Sequence, residues 1–431
     1  MRYTSPQPTE DSDRKGTGPQ ARYSAALTSC ALCLLAVFPT VAIYVRQSIP
    51  FLAFCIALCI CGVIASMGDG NRLFGQIRQT LRSRLALMLL VAFSWILISS
   101  TLSPNWSRAL ESAAQMLLVA GLGFAMLTAS DRLPSQAVLI ALSIGISVAA
   151  FLLIANKLVM PNLRAGYVPL NRETNRIAAL ITLFLPVLNY HLLKEKFATS
   201  ARVTALALLA SAIFLSDSES AKFGLIVALI VYVLCTYGAG VFRGMVAAGM
   251  VFAIMLMPLL MLRARDIIPQ FMFDHTEYQT FEIRTLIWRE FASLTMQKPI
   301  FGYGVEASRI ASQLPEAAEL GEVHRTFLLF PHTHNDVLQI WFELGAIGAL
   351  LTAALIWSIC RWTEHLPPAN RNLALTLIAA VFAVSCVSHG LWQAWWPCAV
   401  FVVLLAFPRS QRSIDGESLL AGLQKQSFAN K

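Results

Sequence analysis

Apolar runs long enough to cross a lipid bilayer recur along almost the whole chain, and that regularity excludes most folds. A hydrocarbon core about 30 Å thick takes about 20 apolar residues per helical crossing. Backbone polar groups inside it must be satisfied within the segment, which makes the helix the spanning form for runs of this length. Twelve spans are predicted, at 24–45, 49–66, 85–102, 109–128, 136–155, 175–192, 203–216, 221–237, 243–262, 335–360, 372–389 and 390–408. Composition agrees. Of 431 residues 57% are hydrophobic and 13% charged, with mean hydropathy +0.63, about half the charge of a soluble domain. The expected fold class is an all-α integral membrane protein of about twelve transmembrane helices. A large loop with short helices of its own separates spans nine and ten.

Basic residues in the short loops orient the bundle. With the N-terminus in the cytoplasm, Arg72, Arg78, Arg82, Arg84, Lys194, Lys196, Arg202, Arg243, Arg361, Arg371, Arg409 and Arg412 all fall inside. The loop 263–333 then falls outside. The net charge of +9 reflects this bias and does not point to nucleic acid. Residues 1–22 read as a disordered cytoplasmic tail without the apolar core and cleavage site of a signal peptide, so span one is a retained anchor. Residues 409–431 read as a second cytoplasmic tail, and 23–408 as one membrane domain. All nine cysteines lie in or beside predicted spans. Cys30-x-x-Cys33 and Cys59-x-Cys61 lack histidine or carboxylate partners and read as helix packing.

Four of the seven histidines lie between His275 and His334, in the polar loop. There, 281–291 reads as an amphipathic helix ended by Lys298-Pro299, with Gly302-Tyr303-Gly304 as a tight turn. Its plain reading is an interfacial helix with arginines in water. Thr333 is expected to cap span ten, with Asp336 completing a capping box. That puts His334 in the first turn, where the helix dipole favours neutral imidazole. Gly345-x-x-Gly348 suits close approach of another helix. His332 is expected on a different face from His334.

His334-Asn335-x-x-Leu338-Gln339, then Glu343-x-Gly345-x-x-Gly348, follows a loop holding Arg284-x-x-x-Trp288 and Pro299-x-x-Gly302-x-Gly304. Together these resemble the O-antigen ligase family, which includes O-antigen polymerases and exopolysaccharide polymerases. Asn175-Arg176, opening span six, resembles the family's Asn-Arg before an apolar helix. Between spans seven and eight the family often has Ser-Arg; this chain has Ser218-Glu219 followed by Lys222.

The resemblance implies a glycosyltransferase of the bacterial inner membrane, with its active site facing the periplasm in the loop 263–334. It implies transfer of a glycan from undecaprenyl diphosphate to an acceptor hydroxyl, lipid A–core for a ligase or a growing glycan for a polymerase. Arg176 and Arg284 would hold the diphosphate, since guanidinium forks bind such oxygens bidentately. His334 would take the acceptor's proton, with inversion at the anomeric carbon. Asn335, Lys222, Trp288 and Glu343 are the expected substrate contacts. No metal and no other cofactor is expected. The competing reading for Arg176, Lys222 and Glu111 is snorkelling to the headgroups, and for Trp392, Trp395 and Trp396 an aromatic belt. Asp274, Glu277, Glu316, Glu319 and Glu322 read as solvated loop surface. A transporter of lipid-linked sugars would need charges at mid-span and broken inverted repeats. Here the charges gather at span ends.

Overall fold

The computed structural model describes residues 19–408 apart from 46, 69, 160–170, 239, 271–272 and 274–279. Most of the two expected tails, with Asp274, His275 and Glu277, lies outside the described residues; 19–22 open the first helix. Among the described residues the chain is helix and turn without strands. The helices are α1 (Pro19–Tyr44), α2 (Ser48–Ser66), α3 (Gly70–Leu81), α4 (Arg84–Leu102), α5 (Trp106–Ala129), α6 (Ser135–Leu158), α7 (Asn171–Lys194) and α8 (Thr199–Leu215). They continue with α9 (Glu219–Tyr237), α10 (Val241–Leu262), α11 (Ala264–Ile267), α12 (Thr280–Thr295), α13 (Glu322–Phe327), α14 (Asp336–Trp362), α15 (Pro368–Val387) and α16 (Trp395–Leu404).

Ten of them are long and apolar enough to cross a membrane: α1, α2, α4–α7, α9, α10, α14 and α15. The other two expected spans are shorter. Helix α8 has 17 residues and α16 only 10, about 15 Å at 1.5 Å per residue. Residues 388–394, read as helix ends, instead form a turn between α15 and α16. The basic stretch after α2, expected as a loop, contains the helix α3 with Phe74 exposed.

Between apolar helices in lipid, close van der Waals contact takes the place of hydrophobic driving force. Helix α1 packs along α2 and α6, α9 along α15, and α10 along α14. A Cβ on Gly145 of α6 would stand 2.2 Å from the Ala36 carbonyl oxygen of α1, so those two backbones touch. Helix α12 does not rest on headgroups with its apolar face. It buries Trp288, Phe291 and Leu294, and Phe291 meets Phe342 of α14 edge to face at 5.0 Å.

Helix α14 is broken at Gly345, where φ is +65° and ψ −165°. A broken helix exposes carbonyls and N–H groups, each costing several kcal/mol if left unpaired in an apolar layer. The loop after α12 supplies the partners. Tyr303 N–H donates to the Phe342 carbonyl at 2.8 Å and Gly304 N–H to the Glu343 carbonyl at 2.9 Å. Ala346 N–H donates to the Pro299 carbonyl at 2.7 Å, and Trp95 Nε1–H to the Leu344 carbonyl at 3.0 Å. What approaches Gly345 is therefore this loop, while the nearest neighbours of a Cβ on Gly348 would be Leu344 and Ile340 of the same helix. The Pro299-x-x-Gly302-x-Gly304 and Glu343-x-Gly345 motifs form one interlocked joint. A Cβ on Gly345 would lie 2.1 Å from the Ile300 carbonyl oxygen.

Gly345→Ala should therefore destabilise the protein by more than about 2 kcal/mol, through left-handed strain and steric overlap. A thermal melt of the detergent-purified variant overlaying the wild-type curve would refute the joint.

Candidate active site

The approach to α14 is tightly constrained. Asn335, not Thr333, is its N-cap, accepting from Leu338 N–H at 2.9 Å. Thr333 is fully buried; its Oγ1 accepts from Asn335 N–H at 3.1 Å and donates to the Asn335 carbonyl at 2.6 Å. His334 is caught between these buried residues with φ +54°, a conformation a non-glycine residue holds only when its surroundings impose it. It precedes the cap and so lies outside the first turn. His332 is beside it after all: the two rings are 4.1 Å apart, and His334 N–H donates to His332 Nδ1 at 3.3 Å. A Cβ on Gly390 would stand 2.9 Å from the His332 side chain, so the turn after α15 backs directly onto the histidines.

That turn gathers the rest. Arg284 of α12 donates to the Val387 carbonyl at 3.0 Å. The Cζ of Arg176, near the start of α7, lies 5.7 Å from the centroid of the Trp395 ring, a cation–π placement. The same ring is 4.4 Å from His389. His389 has φ +61° and its Nδ1 is 3.0 Å from Ser388 Oγ. Arg176, Arg284, His332, His334 and His389 thus collect around one turn at one end of the bundle. Lys222 has a local partner. It pairs with Glu219 at 2.9 Å, and Glu219 is the acidic charge bearing on Arg284.

Burial lowers the His334 pKa to about 2, with His332, Arg284 and His389 adding repulsion. His389 is lowered well below the usual imidazole range by burial, then by His332, Arg284 and Arg176. Burial also lowers Arg284, opposed by Glu219. Neutral His334 was expected from the helix dipole; the cause is desolvation and neighbouring cations.

Three expected substrate contacts are closed off. Glu343 is 0% exposed and saturated by N–H donors: Trp392 Nε1 at 2.6 Å, Gln339 Nε2 and Glu306 N each at 2.8 Å, and Ser308 N at 3.4 Å. Asn335 spends its amide on the cap and on Met257 Sδ. Trp288 is core, edge to face with Phe281. The three tryptophans of the last turn are not a lipid-facing belt either. All are buried, and Trp395 and Trp396 donate to Gln393 and Ser385. His389 was missed because an unbroken apolar run hid the turn; the signal was the polar Ser388-His389-Gly390 inside it.

Residues 204–353 match the family model described as O-antigen ligase. This segment holds Lys222, Arg284 and His334 but neither Arg176 nor His389. A protein of Rickettsia conorii named as a polysaccharide ligase is 26% identical over 187 residues, 42% of this chain and 44% of that protein. One from Rickettsia bellii is 25% identical over 195 residues, 44% of this chain and 47% of its own. The chain spans a little under half the length of these relatives.

Two outcomes follow from this geometry. Glu343→Ala leaves several buried donors without an acceptor and should cost about 3 kcal/mol or more; recovery of wild-type yield and melting temperature would sink that role. His334 and His389 are neutral when folded and protonate near pH 6.5 when unfolded. Acid therefore favours the unfolded chain, and stability present above pH 6.5 is lost as pH falls. Melting temperatures taken from pH 7.5 to 5 should decline, and less steeply in His389→Gln. Equal slopes would contradict the buried neutral state.

Proposed function

We propose, from the match of residues 204–353 to the O-antigen ligase family, that this protein is a membrane glycosyltransferase of surface-polysaccharide assembly. It moves a glycan from undecaprenyl diphosphate to an acceptor hydroxyl at the periplasmic face of the inner membrane. The observation that carries the reading is the convergence of Arg176, Arg284 and His334 on one turn, although they stand far apart in sequence.

The acceptor oxygen attacks the anomeric carbon while the bond from that carbon to the diphosphate breaks. The electron pair leaves with the diphosphate, and the hydroxyl proton passes to His334. Attack opposite the leaving group inverts the centre. Arg176 and Arg284 stabilise the charge growing on the departing oxygens, a contribution of about 10²–10³ in rate for one such donor. An imidazole held near a pKa of about 2 is available but weakly basic. A bound diphosphate offsets the cations that depress it, so donor binding strengthens the base. With two guanidiniums on the diphosphate, no metal is assigned a role.

The acceptor decides between ligase and polymerase, and lipid A–core is the primary reading. The relatives named as polysaccharide ligases favour it.

Deletion of the gene should leave lipid A–core bare and lipid-linked long glycan accumulating, read on lipopolysaccharide gels. Core carrying a single repeat would replace the ligase reading with a polymerase. His334→Ala, at wild-type protein level, should lower transfer by about 10²–10⁴, and EDTA should leave the wild-type rate unchanged. Full complementation by His334→Ala would remove the catalytic base.

A further inference from the structure

His389 carries two features that packing alone does not explain. Its Nε2 is buried and has no hydrogen-bond partner. A buried donor or acceptor left unpaired is costly. Its backbone is left-handed at φ +61°, a strained conformation in a position where glycine would turn the chain freely. The ring is also fixed rather than loose. Trp395 stands 4.4 Å and Trp396 5.1 Å away by ring centroids, and Ser388 Oγ holds Nδ1 at 3.0 Å. In the tautomer where the Ser388 hydroxyl donates to Nδ1, the ring proton sits on Nε2.

The neighbours set the charge around the ring. Two residues back, the Val387 carbonyl anchors Arg284. On the other side, Trp395 carries Arg176. The charged and titratable groups bearing on His389 are Arg176 from α7, Arg284 from α12, and His332 before α14. Glu219 of α9 bears on Arg284, and His334 is coupled to His389. A cation-rich cluster of this kind suits an anion.

We propose that His389 is a third ligand for the donor's diphosphate, donating from Nε2 to a phosphoryl oxygen alongside Arg176 and Arg284. This rests on the glycosyl-transfer reading above. Binding of the anion draws a proton onto the ring, so His389 enters the complex as a cation. The leaving diphosphate then meets three positive donors, and the proton taken up lies beside the oxygen on which charge develops.

The test uses the full-length protein in nanodiscs titrated with undecaprenyl diphosphate, by calorimetry in two buffers of different ionisation heat at pH 7.5. His389→Ala should weaken binding about 10- to 100-fold and take up fewer protons than wild type. His389→Gln, an uncharged donor, should regain part of the affinity and none of the proton uptake. His365→Ala, exposed beyond the far end of α14, should bind as wild type does. Wild-type affinity and proton uptake in His389→Ala would overturn the inference. So would equal losses in the Ala and Gln variants together with a lowered melting temperature, which mark a structural role. If wild type itself does not bind undecaprenyl diphosphate, the glycosyl-transfer reading falls first. If it binds through Arg176 and Arg284 while His389→Ala is unchanged, only the third ligand falls.

Discussion

A single buried carboxylate, Glu343, ties together the three parts from which the site is made. It accepts from the loop through the Glu306 and Ser308 backbones, from its own helix through Gln339, and from the last turn through Trp392. Gln339 repeats the connection, accepting from Leu391 N–H at 3.0 Å and donating to Ser308 Oγ at 3.2 Å. Ser308 in turn donates to the Pro331 carbonyl at 3.2 Å, next to His332. A carboxylate taken out of water is tolerated only when its lone pairs are filled. The need to fill them brings loop, helix and turn to one place. The break at Gly345 lets the loop come close enough to do so, since an unbroken helix would offer no free carbonyls to Tyr303 and Gly304.

The site so assembled has an unusual electrical character. Two arginines and three imidazoles share it, with Glu219 bearing on Arg284 and paired to Lys222. Cations desolvated near one another repel, and the imidazoles answer by staying neutral. A protein holds such a cluster together at a cost, which the anionic substrate proposed above would relieve. The diphosphate of a lipid carrier has the charge and the membrane anchorage to do this at a helix-bundle end. In the proposed transfer, neutral imidazoles beside the cations would become stronger bases as the anion arrives, and donor binding would thereby be linked to acceptor activation.

Much of this was legible in the sequence, and the reasons are physical. Apolar runs announce helices because lipid permits little else, and the chain is helical where it is described. Arg284, Arg176 and His334 were readable as candidates because arginine and histidine stand out in so apolar a chain. The burial and internal partners of Glu343, Asn335 and Trp288 were not, because a motif residue that holds a joint looks the same in sequence as one that touches substrate. Burial separates them, and burial of a polar residue depends on partners from remote segments. His389 was hidden for the complementary reason: hydropathy averages over a window, and one short polar turn does not interrupt it. The position of His332 was misjudged by assuming regular geometry, which the left-handed His334 breaks.

Among the described residues, four non-glycine positions have positive φ: Lys196, Glu306, His334 and His389. Three of them belong to the site or to its immediate support. Glu306 is the residue whose N–H reaches Glu343, and its carboxylate takes Ser112 Oγ–H at 2.5 Å and is paired with Arg309. Strain of this kind persists only where surrounding contacts over-determine the backbone. Here those contacts are the saturated Glu343 network, the Asn335 cap and the tryptophan-lined turn. The stability of the joint thus sustains strained histidines at the site, and a rigid, costly polar core inside an apolar bundle becomes intelligible. It fixes two imidazoles in conformations that a more relaxed chain would abandon.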